Sequence, residues 1–80
     1  MASTSKRLYR ILEFPKHLQV SILTLLKLGP STASDVAALT GKARALESAY
    51  LNQLCVMKIV SKCRVRHKVY FQVILEALDW

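Results

Sequence analysis

A connection of only two residues, Gly41 and Lys42, separates two segments with helical patterns, residues 33–40 and 43–57. The first segment is about two turns long, with Ser34 as a candidate N-cap. So short a helix is not stable alone in water, because one or two turns do not offset the cost of helix nucleation. The sequence therefore predicts two helices, joined by a tight turn, that pack on neighbouring elements.

Two further helices are predicted before this pair. Residues 15–28 begin with Pro15 and are followed by Gly29, residues typical of the first turn and the end of a helix. Their apolar stripe predicts a side that faces the core, formed by Leu18, Ile22, Leu25 and Leu26, with Val20 and Leu28 beside them. Residues 5–14 predict a shorter helix, whose stripe is formed by Leu8, Ile11 and Leu12.

A β-hairpin is predicted after the fourth helix. Residues 59–65 and 69–73 are rich in β-branched and aromatic side chains and alternate with a period of two. The basic tripeptide Arg66-His67-Lys68 lies between them and predicts a short tip. Residues 74–80 predict one or two helical turns that cover a core or an interface.

The helix over residues 43–57 has two distinct sides. The expected core-facing residues are Leu46, Tyr50, Leu54 and Met57, supported by Leu51. Polar side chains with a spacing of four form a second side, which small alanines flank: Arg44, Ser48 and Asn52. This side predicts close approach to another surface.

The positive charge is concentrated in one stretch of the chain. The net charge is +7, from twelve Lys and Arg against five Asp and Glu. Residues 42–73 contain seven Lys and Arg against Glu47 alone, a net charge of +6. Such a balance favours a polyanionic partner.

Several classes of protein are excluded by what the sequence lacks. The apolar runs are too short to cross a bilayer, and the first ten residues have no apolar core of signal-peptide length, so we expect a cytoplasmic protein. Cys55 and Cys63 form no metal-binding pattern, and free structural thiols are favoured over a redox pair. The five acids are scattered and nucleotide-binding motifs are missing, so we expect no enzyme, no metal and no cofactor.

The stretch from Thr32 to Val73 resembles the DNA-binding domain of small bacterial and archaeal winged-helix regulators such as the ArsR and MarR families. These families have a short helix, a longer helix that ends in paired leucines, a wing entrance and an aromatic return strand. This chain has the same features in the same order: ASDVAALTG at 33–41, Leu51 and Leu54, Lys58-Ile59-Val60, and Val69-Tyr70-Phe71-Gln72-Val73. The chain departs from the family at Lys42 and Glu47, where aliphatic residues are usual, and at Lys58, where glycine is usual. We expect the departures to rotate the third core helix slightly, with Leu46 and Tyr50 carrying its packing.

The resemblance implies a winged helix-turn-helix, an α+β and mostly helical fold with three core helices and a two-stranded wing. The 80 residues would form one domain, with the N-terminal helix over 5–14, the core over 15–73 and a C-terminal tail over 74–80.

The resemblance also implies a site for duplex DNA, with the third core helix in the major groove and the wing on the backbone. Arg44 is the first candidate for a base contact, followed by Ser48 and Asn52. The expected phosphate contacts, to which the wing-tip histidine is added, are Lys42, Lys62, Arg64, Arg66, His67 and Lys68. The alternative is that these residues form an ordinary solvated face, with the wing charges only protecting an edge strand.

A chain this small gains little stability from its own core, so pairing with a second copy is expected. The apolar residues left for a dimer contact are Leu8, Ile11, Leu12, Leu75, Leu78 and Trp80. The resulting prediction is a homodimeric, nucleoid-associated transcriptional regulator with no small-molecule effector. The alternatives are an architectural or genome-segregation protein with little sequence preference, and a winged-helix module that binds protein. RNA is an alternative polyanion.

Overall fold

The computed structural model describes residues 2–78, with side chains from residue 7 onward. Its elements are α1 (Ala2–Leu12), α2 (Lys16–Leu28), α3 (Ala33–Thr40), α4 (Arg44–Val56), β1 (Val60–Val65), β2 (Lys68–Val73) and a 3₁₀ helix (Leu75–Leu78). This order of elements, mostly helical with one hairpin, is the predicted one. The 3₁₀ helix packs on α1, so the two ends of the described chain meet.

The two glycines end α2 and α3 as predicted. Gly29 and Gly41 both have a positive φ, 78° and 77°, which side chains with a Cβ rarely adopt. The start of α3 differs from the prediction, because its N-cap is Thr32 and not Ser34. The Thr32 hydroxyl accepts from the backbone N–H of Asp35, and the Asp35 carboxylate accepts from the backbone N–H of Thr32, both at 3.1 Å. This reciprocal pair satisfies two donors at once, which a cap at Ser34 would not.

The hydrophobic core is centred on α2. Its Leu18, Ile22 and Leu25 are buried, whereas Leu26 and Leu28, which we expected on the same stripe, are exposed. The core is completed by residues of every other element: Ile11, Phe14, Ala33, Val36, Leu51, Leu54, Ile59, Val60, Phe71, Val73 and Leu78. Burying each large aliphatic side chain contributes about 1.5–3 kcal/mol.

The buried side of α4 agrees only in part with the predicted one. Leu51 and Leu54 are buried completely, as predicted. Leu46 and Met57 are exposed, Tyr50 is only partly buried, and Glu47, which was not expected on this side, is buried completely. The predicted rotation onto Leu46 was therefore wrong. The physical reason is that the Glu47 carboxylate has hydrogen-bonding partners inside the protein, so its burial leaves no unpaired charge-bearing oxygen.

The wing is an antiparallel hairpin whose register runs from Val60 opposite Val73 to Val65 opposite Lys68. Its tip is therefore Arg66 and His67 alone, one residue shorter than predicted, because Lys68 already pairs in β2. A short bridge between Ser31 and Phe71 ties the hairpin to the connection between α2 and α3, with backbone hydrogen bonds of 3.0 and 2.7 Å.

Two residues expected at a dimer contact belong to the core instead. Ile11 and Leu78 are buried within the chain itself, because the 3₁₀ helix folds back onto α1. Leu8, Leu12 and Leu75 are exposed. Trp80, the sixth residue of that prediction, lies outside the described residues.

Candidate nucleic-acid interface

A cleft of about 400 Å³ lies between the start of α3, one side of α4 and the hairpin. The start of α3 contributes Thr32, Ala33, Ser34 and Asp35; α4 contributes Arg44, Ser48 and Asn52; the hairpin contributes Lys62, His67, Lys68, Val69 and Phe71. The short turn at Gly41 and the bridge at Ser31 hold these three elements together, so residues far apart in sequence share one surface.

The cleft contains all three residues predicted on the polar side of α4 and three of those predicted on the wing: Arg44, Ser48, Asn52, Lys62, His67 and Lys68. The other three predicted residues, Lys42, Arg64 and Arg66, do not line it. Lys42 instead places its Nζ 5.4 Å from the centre of the Tyr50 ring, which in turn lies 4.7 Å from the His17 ring. The Arg64 Nε donates to the Arg66 carbonyl at 3.4 Å, near the wing tip.

Asn52 connects α4 to the wing. Its Oδ1 accepts a hydrogen bond of 3.0 Å from the Lys62 Nζ. Its Nδ2 donates to the Ser48 carbonyl at 2.8 Å and lies 3.4 Å from the Ser48 Oγ. Arg44 differs from these residues, because it is exposed and its side chain has no hydrogen bond or ion pair within the part of the chain that the structure describes.

The cleft carries an excess of positive charge. Arg44, Lys62 and Lys68 are cationic, and Asp35 is the acid among the lining residues. The amide and hydroxyl of Thr32 hold the pKa of the Asp35 carboxyl below its usual value of 3.8, with a smaller effect from Lys68. Asp35 is therefore a carboxylate at neutral pH that is committed to the cap, and the cations remain available for an anionic ligand.

Sequence reasoning missed two sets of side chains on or beside this surface. The first is at the start of α3, where Thr32 and Ser34 line the cleft. The spacing T-x-x-D at Thr32 and Asp35 is the signal for the cap that positions them. The second is Gln53, which is exposed on the outer side of α4, opposite buried Leu51. If Glu47, Leu51 and Leu54 are taken as the buried side of α4, the helical repeat places Gln53 on the outer side.

The outer side of α4 is otherwise apolar. Four further exposed residues lie on it: Ala45, Leu46, Ala49 and Val56. The cations are therefore placed beside this face, in the cleft, and not at its centre.

Metal binding, thiol chemistry and membrane insertion find little support among the described residues. No three His, Cys, Asp or Glu side chains within residues 2–78 are grouped closely enough to hold a metal ion. Cys55 is partly buried, and burial raises the pKa of its thiol, whereas Cys63 is exposed on the wing. None of the helices described is long and apolar enough to cross a membrane.

Comparison with known proteins finds a relative by sequence and a solved structure with a similar fold. No family model matches the chain. An uncharacterized protein of Archaeoglobus fulgidus is 41% identical over 59 residues, which cover 74% of this chain and 80% of that protein. A MarR family protein from Bacillus stearothermophilus superimposes with a TM-score of 0.68 at 15% identity, covering 96% of this chain. This chain spans 61% of that structure, and the likeness confirms the winged-helix fold.

Proposed function

The chain belongs to the same protein family as the Archaeoglobus fulgidus relative and has the winged-helix fold, and on this basis we propose that it binds duplex DNA as a transcriptional regulator. The observation that carries the proposal is the cationic cleft, in which α3, α4 and the hairpin converge. These are the elements with which helix-turn-helix proteins meet DNA, since the second helix of the motif enters the major groove while the first crosses the backbone.

In this proposal α4 lies in the major groove and one strand of the duplex follows the cleft between α4 and the wing. The small residues Ala45 and Ala49 on the outer side of α4 permit close approach to the base edges. Arg44 is our candidate for base recognition, because its guanidinium has no partner among the described residues and can bond O6 and N7 of guanine together. Gln53 is a second candidate, since an amide matches N6 and N7 of adenine.

The phosphate contacts are assigned by position. Lys62 and Lys68 are placed along the cleft for one strand of the duplex. His67 also lines the cleft, whereas Lys42, Arg64 and Arg66 lie outside it, and we assign these three cations to flanking phosphates. Such contacts raise affinity for every sequence alike.

We further propose that the regulator is a homodimer that reads two half-sites about one turn of DNA apart, without a small-molecule effector. The exposed leucines of α1, Leu8 and Leu12, together with Leu75 of the adjoining 3₁₀ helix, support a contact at this end of the molecule. Leu12→Lys should then shift the sedimentation profile from dimer to monomer. Leu39→Lys is the matched control, because Leu39 is also exposed but lies on α3. Equal profiles for both variants would contradict the α1 contact.

A second candidate function is an architectural DNA-binding protein with little sequence preference. It is favoured by the outer side of α4, where Ala45, Ala49 and Val56 offer few hydrogen-bonding groups for base edges. An architectural protein would use the same cations on the backbone.

One experiment separates the two candidates. A duplex enriched from a random library and a scrambled duplex of equal length are titrated at one salt concentration by fluorescence anisotropy. A regulator is expected to bind the enriched duplex at least about a thousandfold more tightly. Equal binding would favour the architectural role, and no binding to either duplex would overturn the proposal in favour of a module that binds protein.

A further inference from the structure

The hydrogen bond between Lys62 and Asn52 is a direct side-chain connection between the wing and α4. The 3.0 Å contact joins the Nζ of a cation on β1 to the amide oxygen of Asn52. The other end of that amide is also occupied, since Nδ2 donates to the Ser48 carbonyl at 2.8 Å. Both polar atoms of Asn52 are therefore engaged before any ligand arrives.

This arrangement constrains Lys62 without neutralising it. A lysine side chain has many rotamers and loses their entropy when a ligand fixes it. Asn52 is uncharged, so its contact orients the ammonium group and leaves the positive charge intact. On the backbone side, Lys62 pairs with buried Phe71, which fixes the strand from which the side chain extends.

We infer that Asn52 is a positioning residue, which holds Lys62 over the cleft for a phosphate, and is not a reader of bases. The inference rests on the proposed function. A phosphate oxygen is a stronger acceptor for an ammonium group than an amide oxygen is. A phosphate of a bound DNA strand can therefore accept a hydrogen bond from the Lys62 ammonium group, in place of Asn52 or together with it. The acid of the cleft, Asp35, is bonded to the Thr32 amide and does not compete for Lys62.

The test replaces Asn52 with an acid of nearly the same shape. Asn52→Asp loses the hydrogen bond donated to the Ser48 carbonyl, and it converts the neutral contact with Lys62 into an ion pair. The matched control is Gln72→Glu, because Gln72 on β2 is also an amide, is exposed, and does not line the cleft. Both variants convert a neutral amide into a carboxylate.

We expect Asn52→Asp to weaken duplex binding several-fold more than Gln72→Glu does. It should also make the slope of log affinity against log salt less negative, by about one unit more than the control variant does, since one phosphate contact is lost. In a Lys62→Ala background this excess should vanish. As a second measurement, Asn52→Ala combined with Lys62→Ala should bind no more weakly than Lys62→Ala alone.

Two results would overturn the inference while leaving the proposed function intact. One is equal loss of duplex affinity for Asn52→Asp and Gln72→Glu. The other is an Asn52→Ala variant that changes base preference at one position with an unchanged salt slope, which would make Asn52 a base reader. Absence of salt-dependent duplex binding by the unmodified chain would instead overturn the proposed function itself.

Discussion

The Ser21 hydroxyl donates a hydrogen bond of 2.8 Å to Oε1 of Glu47, and both residues are completely buried. The second carboxylate oxygen, Oε2, accepts from the Thr40 hydroxyl, also at 2.8 Å. One acidic side chain on α4 is thus joined to α2 and to the end of α3. Because the turn at Gly41 follows Thr40 directly, this contact fixes the angle at which α4 leaves α3.

Replacing Glu47 with alanine should destabilise the protein by about 2–4 kcal/mol, since it leaves a cavity and removes the acceptor of the buried Ser21 hydroxyl and of the partly buried Thr40 hydroxyl. Glu47→Gln should cost less, because it retains one acceptor oxygen. Urea unfolding followed by circular dichroism measures both. Glu76→Ala is the control, since Glu76 is exposed and its loss should change the free energy of unfolding by less than about 0.5 kcal/mol. Equal effects at the two positions would contradict the role of Glu47.

The protein should be more stable with glycine in place of Lys58. Lys58 has a φ of 63°, in the left-handed region, directly after α4. Relief of that strain should stabilise the folded protein by about 1–2 kcal/mol. The greater conformational freedom of glycine in the unfolded chain offsets about 0.5–1 kcal/mol of this gain. Lys58→Gly should therefore raise the free energy of unfolding, whereas Lys58→Ala, which removes the charge but keeps the Cβ, should not. A Lys58→Gly variant less stable than Lys58→Ala would refute the argument.

The cap at the start of α3 predicts a dependence on pH. The Thr32 amide lowers the pKa of Asp35 below 3.8 in the folded protein. The folded state is therefore stabilised by this carboxylate above pH 3.8, and the stabilisation is lost as the pH falls through the lowered pKa. Thermal unfolding of the unmodified chain and of Asp35→Asn should differ most near neutral pH and converge in acid. A difference that grows below pH 4 would have the wrong sign.

Arg44→Ala should cost about 1–3 kcal/mol of binding on an enriched duplex and relax its preference at one base pair. Lys68→Ala should instead weaken binding to enriched and scrambled duplexes alike, because a phosphate contact carries no sequence information. The ratio of the two affinities, measured for each variant, distinguishes these effects. An unchanged ratio for Arg44→Ala would remove Arg44 from base recognition.

The sequence predicted those parts of the fold that depend on neighbouring residues. Gly29 and Gly41 mark helix ends because their conformation is local, and the alternation around the wing tip defines the hairpin. The buried side of α4 was mispredicted because it depends on Ser21, which lies 26 residues from Glu47 in the chain. No local pattern distinguishes a carboxylate that finds two hydroxyl donors from one that faces solvent.

For the candidate site, the sequence predicted which residues lie together better than it predicted the contacts between them. Arg44, Ser48 and Asn52 were correctly grouped by their helical spacing, and the structure brings Lys62 and Lys68 to them. The contact between Asn52 and Lys62 could not be anticipated, since it depends on how the wing packs beside α4. Ile11 and Leu78 were assigned to an interface for a similar reason, because their mutual burial requires the chain ends to meet.

The salt dependence of duplex affinity tests the central claim most directly. Anisotropy titrations of one duplex at several salt concentrations give the slope of log affinity against log salt, which counts the phosphates neutralised. A dimer that uses four or five cations per chain should give a slope of roughly −7 to −9. A slope close to zero, or no binding at low salt, would contradict the account of this surface as a DNA interface.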